Sequence, residues 1–215
     1  MNQPRYIVVE GPIGVGKTSL ARKLADTLGG DLILEQAESN PFLERFYREP
    51  RSAALPTQLF FLCQRASQVQ AMRQADMFQP VRVADYLLQK DNIFARLTLD
   101  EDEYRLYAQV YEKFAVDAPE PDLVIYLQAP VNVLMDRILR RGVDYERLIE
   151  AEYLERVNEA YTRFFFDYDS SPLLIVNTVD FDFEQREEDY QALFDRIQSI
   201  NRGRHYYNPI SAALL

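Results

Sequence analysis

Apolar residues fall along this chain in two alternating rhythms. Short runs that are apolar almost throughout stand at Tyr6–Val9, Leu32–Glu35, Val81–Ala84, Leu123–Leu127 and Leu173–Val176. Unbroken apolar runs of that length suit parallel strands covered on both faces. Between them, apolar positions recur every three or four residues. That spacing predicts helices over Lys17–Leu28, Phe42–Arg48, Thr57–Ala75, Leu87–Leu97, Glu101–Ala115, Val131–Arg141, Ala151–Phe165 and Arg186–Asn201. Pro50 and Pro56 bracket an expected loop, and Pro119 with Pro121 mark the entry to the fourth strand. Strand–helix alternation of this kind predicts an α/β, three-layer fold: a five-stranded parallel sheet with right-handed crossovers and helices on both faces. Ligands of such sheets bind beyond the carboxyl ends of the strands, so residues that follow strands are the first candidates for chemistry.

The most informative of these strand ends is GPIGVGKT, residues 11–18. Gly11, Gly16, Lys17 and Thr18 occupy the fixed places of the phosphate-cradling pattern, between a short β-branched run and a helix start. Glycine lets successive backbone N–H groups turn inward and touch phosphate oxygens. The expected nucleotide contacts are Gly11, Pro12, Ile13, Gly14, Val15, Gly16, Lys17, Thr18 and Ser19. Lys17 supplies charge to the β- and γ-phosphates, and the Thr18 hydroxyl suits Mg²⁺.

Composition narrows the partners. The 215 residues suit one domain, 1–215, and their 47% hydrophobic content can build a sizeable core. A net charge of −10 disfavours a nucleic-acid polymer but leaves room for one small phosphorylated ligand held by local cations. Twenty of the 24 basic residues are arginine, the side chain that grips phosphate with a planar fork. No run of eighteen apolar residues predicts a membrane span. The start, MNQPRYIVVEGP, has neither the basic opening nor the apolar stretch of a secretory signal, and the single Cys63 cannot form an internal disulfide. A cytoplasmic location is therefore expected. Cys63 is expected to be a buried packing residue and the single His205 a surface residue, which leaves no zinc site or cysteine–histidine pair.

Four features narrow the reaction. Glu35 ends the second strand, where a carboxylate faces bound phosphates and can accept a proton from an attacking hydroxyl. A solvated strand terminus would look the same. Asp85 ends the third strand, the usual place of a second magnesium partner, and would also serve as an N-cap for the next helix. Arg137, Arg140 and Arg141 close a helix before Gly142. They complement its dipole or belong to a lid, near 137–150, that closes over phosphates and excludes water. Gln58 and Arg65 are seven apart on one helix, so they share a face on which an amide and a guanidinium could read the edge of a base.

Together these features resemble the deoxynucleoside kinases, and most of all the bacterial deoxyadenosine/deoxyguanosine kinases, from about Arg5 to Ser199. The resemblance is carried by Glu35, NPFLERFY (40–47), PTQLFFLCQR (56–65), KDNIFAR (90–96) and DRILRRGVDYE (136–146). It implies a P-loop kinase fold, ATP and Mg²⁺, and phosphorylation of the 5′-hydroxyl of deoxynucleosides, purines favoured. It implies Glu35 as general base, with Lys17, Arg137 and Arg141 on the transferring group and Thr18 and Asp85 as metal partners. Gln58 would pair with the base, Arg65 and Asp91 would read its other polar edge, and Phe94 would stack on it. Tyr47 and Glu146 would hold the 3′-hydroxyl, and Phe183 would lie against the ATP adenine. It also implies a homodimer, with helices near 59–72 and 101–116 as candidate contacts.

The chain departs from the family pattern after the third strand. The family usually has Asp/Glu-Arg-Ser there, and this chain has Asp85-Tyr86-Leu87. A lid position often held by arginine is Val143. Either Arg140 or Arg96 compensates, or the substrate differs. Two other readings remain open: another small-molecule P-loop kinase such as a nucleoside monophosphate kinase, with Arg45, Arg48 and Arg51 near the acceptor, or a non-catalytic nucleotide-binding protein. A guanine-reading Asn-Lys-x-Asp run is missing after the fourth strand, where the sequence is LVIYLQAP.

Overall fold

Strands β1 (Tyr6–Glu10), β2 (Asp31–Ile33), β3 (Arg82–Ala84), β4 (Leu123–Gln128), β5 (Leu173–Asn177) and β6 (Arg204–Tyr207) pair in parallel in the order β2-β3-β1-β4-β5-β6. The helices are α1 (Lys17–Leu28), α2 (Leu43–Arg48), α3 (Pro50–Gln74), α4 (Asp91–Thr98), α5 (Glu101–Ala115), α6 (Val131–Arg141), α7 (Ala151–Asp167) and α8 (Glu187–Gln198). The structure, a computed structural model, describes residues 4–74, 81–115 and 119–209.

The pleat sorts the strand residues into two cores. Ile7, Val9, Ile125, Leu127, Leu174 and Val176 face α1, α6 and α8 through Leu20, Leu24, Leu134 and Leu193. Their neighbours Val8, Val124, Tyr126 and Ile175 face α7 through Val157, Tyr161 and Phe165. Both faces of each central strand are therefore buried, which is why these runs read as continuously apolar.

The sheet has six strands where five were expected. The missed strand, β6, is the RHYY of the polar tail. Among the described residues it pairs with β5 alone, and its residues alternate between exposed and half-buried, so it carries no apolar run to detect. Arg204 anchors it by donating to the carbonyls of Phe165, Phe166 and Tyr168 at the end of α7. His205 lies in this strand, hydrogen-bonded to the Arg202 carbonyl.

Other expectations also need correction. The segment between Pro50 and Pro56 is helix, not loop: α3 starts at Pro50 and runs through Pro56. Proline fits a first helical turn, and the missing donor at Pro56 is outweighed because Ala53 and Ala54 are buried against Leu43 and Phe46 of α2. The end of the expected helix at Ala75 lies outside the described residues. Cys63 is exposed. It sits one position, about 100° of helical turn, past the fully buried Leu62. The segment expected to be helical from Leu87 is extended there and makes a 3₁₀ turn, Leu88–Lys90, before α4. The cause is a contact from across the fold: the Leu87 N–H donates to Glu10 Oε1 at 2.6 Å and holds the chain out of a helix.

Gly11 fixes where β1 meets the phosphate loop. Its φ is +148°, and a Cβ there would lie 2.5 Å from the Leu127 carbonyl oxygen of β4. Gly11→Ala should therefore destabilise the protein by about 2 kcal/mol or more, through combined backbone strain and collision. Urea denaturation would show this as a lowered midpoint with an unchanged slope.

Candidate active site

The loop between β1 and α1 forms the floor of two cavities that meet at Gly14 and Arg141. The outer one, about 630 Å³, is lined by Gly14, Val15, Gly16 and Ser19, by Arg137, Arg140 and Arg141, and by the segment Val179–Arg186 after β5. Gly16 adopts the left-handed conformation ahead of α1, with φ +102°. A side chain there would collide with the Phe183 ring at 2.9 Å. Phe183 is buried against the loop while lining the outer cavity. Arg137 donates to the Val15 carbonyl and to Thr178, tying the end of α6 to the loop. Pro12 supplies the carbonyl that accepts from Lys17 Nζ at 3.1 Å. Withdrawal from water, reinforced by the nearby Lys90, lowers the Lys17 ammonium from 10.5 to about 8. Thr18 donates to Asp85 Oδ2 at 2.6 Å. Asp85 is therefore spoken for by the loop and by the Glu35 N–H on Oδ1 (2.7 Å), and it caps no helix.

The inner cavity, about 140 Å³, brings Ile13, Gly14, Lys17 and Thr18 of the loop to face Glu35, Gln58, Arg65, Asp85 and Phe94. Its far wall carries Tyr47, Arg141, Glu146 and Tyr153. Glu35 stands two residues past β2 because its N–H binds Asp85 instead of continuing the ladder. Its carboxylate pairs with Arg65, and with Lys90 at 3.4 Å. Arg65 also pairs with Asp91, which is buried behind it and does not line the cavity. Burial lowers the Arg65 pKa, and neighbouring Glu10 opposes that shift. Gln58 lies along the same wall, its amide donating to Thr98 at 3.3 Å. Phe94 packs edge-on against Tyr161 with centroids 6.0 Å apart. At the opposite end Arg141 binds Glu146 in two-pronged fashion, Nε to Oε2 at 2.9 Å and Nη2 to Oε1 at 2.6 Å. Tyr47 stacks on Tyr145 with centroids 6.3 Å apart, and burial raises its pKa, keeping the hydroxyl protonated as a donor.

Two buried charges at the centre were missed from the sequence. Glu10, the last residue of β1, is wholly inaccessible and accepts from Gly11 N–H, Leu87 N–H and Tyr161 Oη. Lys90 sits 3.2 Å from Glu10 and is 2% exposed. Burial lowers its pKa, and Glu10 works against that shift. A signal existed for each. Glu10 is a charge closing an otherwise apolar strand, and Lys90 is one of four lysines in an arginine-rich chain. Neither of the residues named as compensating for Tyr86 lines the inner cavity. Arg140 lines the outer cavity, and Arg96 lies over the Tyr104 ring at 4.4 Å.

The donor set fits a hard cation bound with phosphates. Thr18 and Asp85 offer one hydroxyl and one carboxylate oxygen side by side, as magnesium sites that rely on substrate oxygens do. Among the described residues no three acidic, histidine or cysteine side chains cluster into a self-sufficient metal cage.

Comparison with known proteins agrees with this geometry. The model of the family described as deoxynucleoside kinase matches residues 7–201. The deoxyguanosine kinase of Bacillus subtilis (strain 168) is 35% identical over 208 residues, covering 93% of this chain and 99% of that protein. The deoxyadenosine/deoxycytidine kinase of the same strain is 28% identical, covering 90% and 92%. Among solved structures, a deoxyadenosine kinase from M. mycoides with the products dCMP and a flexible dCDP bound superposes with a TM-score of 0.77 at 26% identity, covering 91% of this chain and 100% of that one. The same enzyme with dATP bound gives a TM-score of 0.76 at 24% identity, which speaks for the fold alone. With a parallel sheet flanked by helices, a phosphate loop at its carboxyl edge and a family match across nearly its whole length, this chain belongs to the deoxynucleoside kinase family.

Proposed function

We propose that this protein transfers the γ-phosphoryl group of ATP to the 5′-hydroxyl of purine deoxynucleosides. The observation that carries this reading is the inner cavity itself. One space holds the phosphate loop, a carboxylate and an apolar slot with an amide and a guanidinium along one wall. Relatives named for deoxyguanosine and deoxyadenosine support the purine preference. ATP lies in the outer cavity, its phosphates on the loop N–H groups, Lys17, Arg137 and Arg141, and its adenine near Phe183. The deoxynucleoside lies in the inner cavity. Gln58 and Arg65 meet its base, with Asp91 orienting Arg65 from behind, Phe94 packs on the base, and Tyr47 and Glu146 hold the sugar. Glu35 accepts the 5′-hydroxyl proton as the γ-phosphoryl group arrives in line. Thr18 and Asp85 would hold Mg²⁺, which supplies charge neutralisation to the β- and γ-phosphates when bound. Residues 137–150 act as the lid that keeps water from the phosphates.

A monophosphate acceptor needs cations to hold its phosphate. Arg45, Arg48 and Arg51 do not line the inner cavity, and Arg48 is tied to Glu44 at 2.8 Å. The homodimer belongs to the same reading. Leu106 and Phe114 of α5 are exposed apolar side chains suited to a second copy. No described helix is long and apolar enough to cross a membrane, and we place the reaction in the cytoplasm.

Label transfer from ATP should reach deoxyguanosine and deoxyadenosine but not their 5′-monophosphates, and transfer to monophosphates alone would overturn the assignment. Glu35→Gln should lower kcat by about 100-fold or more with KM nearly unchanged, because it removes an interaction used in the transition state. Wild-type kcat would remove Glu35 as base.

Lys17 makes ATP binding pH-dependent. With its ligand-free pKa near 8 and raised again by bound phosphate, the ammonium is charged below about pH 8 and must take up a proton on binding above it. ATP affinity should be level below that point and fall by up to about tenfold per unit above it. Titration calorimetry in buffers of different ionisation enthalpy measures both the affinity and the proton uptake, and Lys17→Met should abolish the slope.

A further inference from the structure

Glu35 stands on irregular backbone, so its aim depends on its tethers. Among the described residues there are three: its own N–H to Asp85, the ion pair with Arg65, and the contact with Lys90 at 3.4 Å. The Arg65 tether is shared. That guanidinium also pairs with Asp91 and lines the inner cavity, where the proposed function turns it toward the base. Lys90 has no such second duty. It lies behind Glu35, away from the cavity lining, with its ammonium 3.2 Å from Glu10. Glu10 in turn is immobilised by donors from Gly11, Leu87 and Tyr161 at 2.9, 2.6 and 2.9 Å. The ammonium is thus pinned by one carboxylate that cannot move and presented to another that faces the reaction. Tyr86, two residues past β3, contributes no charge: its ring packs under Arg65, and its buried hydroxyl has no hydrogen-bond partner among the described residues.

We propose that Lys90 is the positioning residue of the Glu35 base, holding the carboxylate toward the incoming hydroxyl once Arg65 has turned to the nucleobase, and so supplying from the 3₁₀ turn the cation that the Asp85-Tyr86-Leu87 segment lacks. The inference rests on Glu35 being the base. It assigns Lys90 a role through Glu35 and no contact with substrate.

The rival explanation is that Lys90 only neutralises buried Glu10. Steady-state kinetics and thermal melting of five variants separate the two. Lys90→Met should lower kcat by about 100-fold, the scale set by losing one preorganised group. Its KM for ATP should stay within about threefold of wild type. Lys90→Arg should recover most of that loss, because it restores a cation. Glu10→Gln combined with Lys90→Met removes the orphaned carboxylate and should regain thermal stability, yet remain as slow as Lys90→Met. Glu35→Gln combined with Lys90→Met should be no slower than Glu35→Gln alone, since the two residues act as one unit.

Wild-type kcat in Lys90→Met, recovery in the Glu10→Gln pair, or additive losses in the Glu35→Gln pair would each overturn the proposal. Should Lys90→Met fail to fold, the Glu10→Gln pair carries the comparison against wild type. A slow Glu35→Gln beside a fast Lys90→Met removes Lys90 alone. A fast Glu35→Gln removes the base assignment and this inference with it.

Discussion

Charge withdrawn from water must be paired, and at the carboxyl edge of this sheet five side chains obey that constraint together. Glu10, Lys90, Glu35, Arg65 and Asp91 form a continuous chain of contacts. Each comes from a different part of the fold: the end of β1, the 3₁₀ turn, the segment after β2, α3 and the start of α4. Removing one member of a buried pair costs about 3–5 kcal/mol because the survivor is left uncompensated. The cluster therefore ties these elements to one another, so that loss of any one member leaves a buried charge unpaired. It also explains why the chain past β3 is extended at Leu87 and not helical. The same carboxylate that pairs with Lys90 takes the Leu87 N–H.

Three carboxylates face two cations in this cluster, and Lys17 lies close by with its charge disfavoured by desolvation. Under the proposed function, a bound polyphosphate would give the loop lysine the anion it lacks and release the Pro12 carbonyl. On that reading, part of the affinity for a nucleotide would come from relieving the desolvation of the Lys17 ammonium. This is how a chain of net charge −10 can hold an anion: the surrounding acid matters less than the few cations whose alternatives are poor.

The sequence revealed what is local and hid what is assembled. The phosphate loop is eight contiguous residues whose geometry is written in its glycines, and the central strands are buried on both faces, so both were legible. β6 was hidden because an edge strand with one partner needs no apolar run. Glu10 and Lys90 were hidden because their meaning lies in a contact eighty residues long, between a strand end and a turn that no periodicity predicts. Arg65 and Asp91 were connected only through a family likeness, and even then the pairing of Arg65 with Glu35 was not foreseen. Cys63 shows the limit on a smaller scale. An apolar helical stretch does not say which of two adjacent positions faces inward.

The meeting of the two cavities at Gly14 and Arg141 has a consequence for the proposed reaction. Arg141 holds Glu146 through Nε and Nη2, which leaves Nη1 and further N–H donors of the planar fork unused. A guanidinium that lines both cavities could then touch Glu146 on one side and, under the proposed function, the transferring phosphates on the other. Under the proposed function, a bound 3′-hydroxyl would compete for Glu146 and loosen that grip, and bound phosphates would draw on the freed donors. Acceptor and donor would thus communicate through one side chain, without any movement of the sheet beneath them.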